Sequence, residues 1–186
     1  MNALNLHWRY FTSLEEDLKV LSRFVELTED NFGVYSVEIV RLYLSACSEI
    51  DAVLKLICAE IASEKKVGNI IEYQAVISSH HYVFFDQKVT ATGHGLEFVP
   101  WRDWAGGDSP DWWKQHNVVK HNRSENYEKA NLGNFLNALS ALFVLIFYLY
   151  EVQAAKECPS KNCYVTDFYP QPCLLFFPDI FRYRNS

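Results

Sequence analysis

The residues best suited to chemistry sit in one short run, Asp111-Trp-Trp-Lys-Gln-His-Asn-Val-Val-Lys-His-Asn-Arg123. From Lys114 to Arg123 it holds three cations, Lys114, Lys120 and Arg123, with His116 and His121, and no acid. Lys or Arg could hold a phosphate there, and histidine is the side chain best poised for proton transfer near neutral pH. The run stands out because the chain as a whole is acidic, with a net charge of −6. That balance argues against nucleic-acid binding over the whole surface, since phosphate contacts rest on Lys and Arg, but leaves a local basic site open. On a helix, Asn117 and His121 are four apart and share a face, and His116 and Lys120 share the adjacent one.

The elements that must position this run read mainly as helices. Tyr10–Glu29 is expected to be helical, with Ser13-Leu-Glu-Glu16 as a capping box and Leu14, Leu18, Leu21 and Val25 as its apolar stripe. A second helix, Val37 to about Glu64, is capped by Ser36 and is apolar on more than one face. It should therefore be central and the most buried. Asn69–Ser78 reads as a short third helix. Tyr82–Val99 is β-branched and aromatic around Gly93-His-Gly95 and predicts a hairpin inserted between helices. Ser109 as N-cap and Pro110 as first helical residue start the piece that carries the basic run. Glu125 to about Glu157 is helical again.

The longest apolar stretch, Ala141–Tyr150, falls short of the roughly 20 residues a bilayer span needs, so a buried helix is expected rather than a membrane segment. The expected fold is all-α, a bundle of about four or five helices over residues 1–157 with the hairpin at about 82–99. Residues 158–186, rich in Pro, read as an extended tail packed on the domain. The start of the chain has no apolar run, which predicts a cytoplasmic protein whose five cysteines stay reduced.

This order of elements, two long helices, a polar stretch with Asn-x-x-x-His and a long apolar helix, resembles the HEPN superfamily of toxin, defence and nucleotide-binding proteins. The HEPN signature is an Arg, four to six residues, then His, with Asn commonly following the Arg. The matching window here is His116-Asn117-Val-Val-Lys-His121: Asn117 and His121 match, and His116 stands in the Arg position. The resemblance implies a metal-independent RNase without a cofactor that acts as a homodimer in a toxin or phage-defence system, with an antitoxin or other partner protein. It gives His121 the proton transfer and the His116 position the phosphate clamp. Glu49, on an earlier helix, becomes the supporting acid. Neutral His offers one donor where Arg offers two parallel ones. Either Arg123, Lys120 or Lys114 takes the phosphate, or the site is silent and the chain is a non-catalytic dimerisation or interaction module. On the nuclease reading, His116→Arg should preserve or raise activity.

Structural roles compete with each of these. His121 and Arg123 could bond to Glu49 or Asp51, His116 could pack, and Lys114 and Lys120 could be merely solvated. Trp101, Trp104, Trp112 and Trp113 could stack on bases, but such a cluster more often closes a core. His80-His81 with His94, and Cys158 and Cys163 with Cys173, fit no familiar zinc pattern, so no metal site is expected.

Overall fold

The computed structural model describes residues 3–80, 83–157 and 175–176. Most of them are helical: α1 (Ala3–Leu21), α2 (Val37–Ile61), α3 (Ile70–Ser78), α4 (Arg102–Ala105), α5 (Asp111–His121) and α6 (Leu132–Glu157). Local chemistry sets several starts. The Ser36 hydroxyl accepts from the Ile39 N–H at 3.2 Å and opens α2. Asn69 accepts from the N–H groups of Ile71 and Glu72, while the Glu72 carboxylate accepts from Gly68 N–H at 2.7 Å. Side-chain acceptors of this kind satisfy donors that have no partner inside the helix.

α2 and α6 form the central pair, with α1 against both, α3 on α2 and α5 across both. α6 is the most buried element: from Leu132 to Leu149 only Asn134, Asn137 and Phe147 reach intermediate exposure. The expectation that α2 would be deepest is therefore corrected, although eleven of its residues are buried. α6 is long and apolar enough to cross a bilayer, but 83% of its most apolar window is buried within the protein. It serves as a core helix.

The hairpin forms, shorter than expected. β1 (Val89–Ala91) pairs antiparallel with β2 (Leu96–Phe98), in register Val89–Phe98 and Ala91–Leu96. Gly93 and Gly95 turn the chain at φ +82° and +67°, a region closed to most side chains. β3 (Leu175–Phe176) adds to the other edge of β1. Val83–Asp86, expected in the first strand, is a 3-10 turn instead.

Further boundaries moved. α1 ends at Leu21 rather than Glu29, and α5 starts at Asp111 with Pro110 in the N-cap position, where Ser109 was expected as cap and Pro110 as first helical residue. α1 starts ahead of Ser13, which lies inside the helix, because Trp8 and Phe11 continue the buried stripe towards the chain start. α6 starts at Leu132 rather than Glu125, where the Asn131 side chain accepts from Asn134 N–H at 3.0 Å. Apart from residues 175–176, the expected tail 158–186 lies outside the described residues.

Candidate functional site

α5 has two sides with different surroundings. Trp112, Trp113, His116 and Val119 are buried, whereas Lys114, Asn117, Val118, Lys120 and His121 are exposed. The spacing of 112, 116 and 119 is that of a stripe facing a core. At about 100° per residue, Lys114, Asn117 and His121 fall within about 60° of one another on the other side.

The buried side is held by hydrogen bonds from aromatic side chains. The Tyr43 hydroxyl of α2 donates to the Trp112 carbonyl. The Trp112 indole donates to the Pro100 carbonyl at 2.8 Å, and the Trp101 indole donates to the Ala141 carbonyl of α6 at 3.2 Å. Trp101, Trp104, Trp112 and Trp113 are all buried, so the cluster closes the core and offers no base a face.

His116 belongs to this packing. It is 5% exposed, with its ring 5.0 Å from Trp113 and 6.1 Å from Tyr43. Burial above all, then Lys120 and His121, pushes its pKa down to about 4, against an opposing pull from Asp51. It is therefore neutral at pH 7 and turned away from solvent. His116 cannot act as the phosphate clamp that the Arg position of the HEPN signature supplies, and the expected role of this residue is corrected.

Glu49 is also engaged elsewhere. Its carboxylate lies 2.5 Å from His7 Nδ1 of α1, and both side chains are largely buried. Asp51 faces the other way: it accepts from the Tyr73 hydroxyl at 2.9 Å, pairs with Lys55 at 2.6 Å and acts on His116. Two residues of helix separate their directions by about 200°. Glu49 thus points towards α1, away from the α5 side of α2, and does not support His121. Sequence reasoning missed His7. The signal was available, because His7, Phe11, Leu14 and Leu18 share one stripe of α1 and a buried acid needs a partner.

The outward side gathers charge. Elsewhere Arg41 pairs with Asp17 and Glu38, Lys55 with Asp51 and Lys88 with Glu97, while the exposed Arg9, Arg23, Lys65, Lys66 and Arg102 pair with no acid among the described residues but are spread over the chain. Among the described residues Lys114, Lys120 and Arg123 pair with no acid, and the His121 imidazole makes no hydrogen bond or ion pair. Arg123 follows the helix in a fixed turn: the Asn126 side chain donates to the Asn122 carbonyl at 3.0 Å, and Asn126 N–H donates to the Arg123 carbonyl. Lys120 and His121 occupy the last turn of α5, the negative end of the helix dipole. Cations are favoured there and anions are not, so any phosphate must be held by side chains rather than by the helix end.

Two cysteines are buried free thiols. Burial raises the pKa of both, Cys58 to about 11, which keeps them protonated and unreactive. No three His, Cys, Asp or Glu side chains gather as a metal site among the described residues; His81, Cys158, Cys163 and Cys173 lie outside them. Comparison with family models, curated proteins and solved structures finds no match to this chain.

Proposed function

We propose that the chain is a HEPN-like helical module that binds RNA through the outward side of α5. Lys114, Lys120 and Arg123 hold phosphates, and Asn117 and His121 lie among them. One observation carries this: in a protein of net charge −6, three exposed cations gather between Lys114 and Arg123 with no acid among them and, among the described residues, none paired to one. In metal-independent cleavage, a 2′-hydroxyl loses a proton as it attacks phosphorus and the leaving oxygen gains one. His121 is the exposed group able to move such a proton, and the three cations stand in for the absent signature Arg. Like the HEPN proteins it resembles, the module acts in the cytoplasm and without a cofactor.

The test is binding of a fluorescent single-stranded RNA, read by anisotropy between 50 and 200 mM salt. Three phosphate contacts on a single strand give a log–log slope of about −2. The combined variant Lys114→Glu, Lys120→Glu, Arg123→Glu should lose binding. A flat salt response, or a variant that binds as well as wild type, would count against the site. Incubation of RNA in EDTA then separates nuclease from binder. Cleavage that survives chelation and disappears in His121→Ala marks a nuclease; binding with no cleavage marks an RNA-binding protein.

A second reading, a non-catalytic dimerisation or partner-binding module, rests on a different observation. Phe24 is 78% exposed beside Val20, Leu21 and Val25, on a shelf edged by Asp17, Ser36 and Glu38. Exposed apolar surface of this kind suits a second copy or an antitoxin-like partner. A homodimer at micromolar concentration that Phe24→Glu converts to monomer, seen by sedimentation, would support this shelf as the interface. A wild-type monomer would remove the homodimer.

A further inference from the structure

Tyr35 is an aromatic side chain with no core to pack into: it is 51% exposed. Its backbone is nevertheless pinned. It forms a bridge with Asn131, and on one side of that bridge Leu132 N–H donates to the Val34 carbonyl at 2.8 Å and Gly133 N–H to the Phe32 carbonyl at 3.0 Å. Gly133 permits this approach, because a Cβ there would lie 2.9 Å from the Phe32 Cβ. The Tyr35 ring meets the half-buried Tyr127 edge-on, with centroids 5.8 Å apart and planes at 79°. A half-exposed ring on a pinned backbone, touching one aromatic neighbour, can accept a flat partner at reduced entropic cost.

The position of this pair matters. Tyr127 opens the 3-10 turn Tyr127–Lys129, which packs on α5. The turn is tied back to the end of α5 through the bonds from Asn126 to Asn122 and Arg123. An exposed aromatic ring and the unpaired cations Lys120 and Arg123 are therefore linked through the Tyr127–Lys129 turn. Single-stranded nucleic acids are bound by this combination, cations for the backbone and aromatic faces for the bases.

We propose that Tyr35 is a base-stacking platform that makes the site selective for single-stranded RNA. An unpaired base lies on the exposed ring, and Lys120 and Arg123 hold adjoining phosphates. The proposal rests on the RNA-binding reading and adds to it the strand state of the ligand. A duplex keeps its bases stacked internally and cannot present one to a lone ring. Acids limit where the phosphates lie. Glu128 is exposed in the same turn, and Glu125 accepts from the Asn122 side chain at 2.6 Å, so the phosphates must sit back towards α5.

The experiment compares a 12-nucleotide single-stranded RNA with a duplex of the same length, using wild type, Tyr35→Ala, Tyr35→Phe and Lys120→Glu/Arg123→Glu. Wild type should bind the single strand more tightly. Tyr35→Ala should weaken that binding at least about fivefold, and Tyr35→Phe, which keeps a ring, should stay within about twofold. Duplex binding should not respond to Tyr35. Single-strand binding that is lost in the charge variant but unchanged in Tyr35→Ala overturns the platform and leaves the RNA reading standing. No RNA binding by wild type overturns both. Photocrosslinking of the single strand to wild-type protein needs no variant: a crosslinked peptide containing Tyr35 is expected, and crosslinks confined to other peptides overturn the proposal.

Discussion

The two histidines of α5 are five residues apart in sequence and about 140° apart around the helix. His116 lies among Trp113 and Tyr43, buried and neutral; His121 lies in solvent between unpaired cations. One side of the helix is therefore a packing surface and the other an electrostatic one. The comparison teaches that a signature read along a sequence mixes both sides. Asn117 and His121 share the outward side, but the residue in the clamp position does not, and the charge it would have supplied is available from neighbours at 114, 120 and 123.

The largest effects should come from breaking the inward side. Trp112→Ala removes a buried indole that anchors α5 and should cost about 3–5 kcal/mol in chemical denaturation. Next is His116→Arg. Its guanidinium would be forced into the aromatic packing, so stability should fall by at least about 2 kcal/mol. This replaces the expectation, drawn from the signature alone, that restoring Arg preserves or raises activity. A stable and more active His116→Arg would show that the inward side is less closed than the packing implies.

Acid should act on the same residue. The folded pKa of His116, about 4, lies below the ordinary value of 6.5. Between these values the unfolded chain binds more protons, so stability rises with pH. The contribution is complete above about pH 6.5 and is lost as pH falls towards 4. From pH 7 to 4.5 the loss should be about 2–3 kcal/mol. His116→Phe should remove that component, checked by denaturation curves for both proteins across the range. A variant with the same pH profile as wild type would place the acid sensitivity elsewhere.

The smallest stability effects belong to the outward side. Lys114→Ala, Lys120→Ala and Arg123→Ala should each shift stability by less than about 0.5 kcal/mol. Each should nevertheless reduce the magnitude of the RNA salt slope by about 0.7. That split, binding without stability on one side and stability without binding on the other, sharpens the comparison most economically.

Much of the frame was legible where local chemistry and periodicity agree. Ser36 and Asn69 mark helix starts, and Gly93 and Gly95 mark the hairpin turn. Boundaries were lost where packing outweighs local signals. Ser13 resembles a cap, yet the stripe through Trp8 and Phe11 carries α1 past it; the residues after Glu125 are compatible with a helix, yet Asn131 sets its start. At the site, the cations and His121 were legible as a group. At His116 the sequence left a clamp role and a packing role both open; its place in the 112–116–119 stripe selects packing, as the place of His7 in the stripe of α1 accounts for Glu49.

The most direct test follows both histidine rings in one NMR titration of the folded protein with a single-stranded RNA at low salt. The His121 imidazole resonances and the Lys114, Asn117 and Lys120 amides should move progressively, while the His116 imidazole stays in place until the protein unfolds. Movement of His116 alone, or no response anywhere along α5, would contradict the assignment of function to the outward side of this helix.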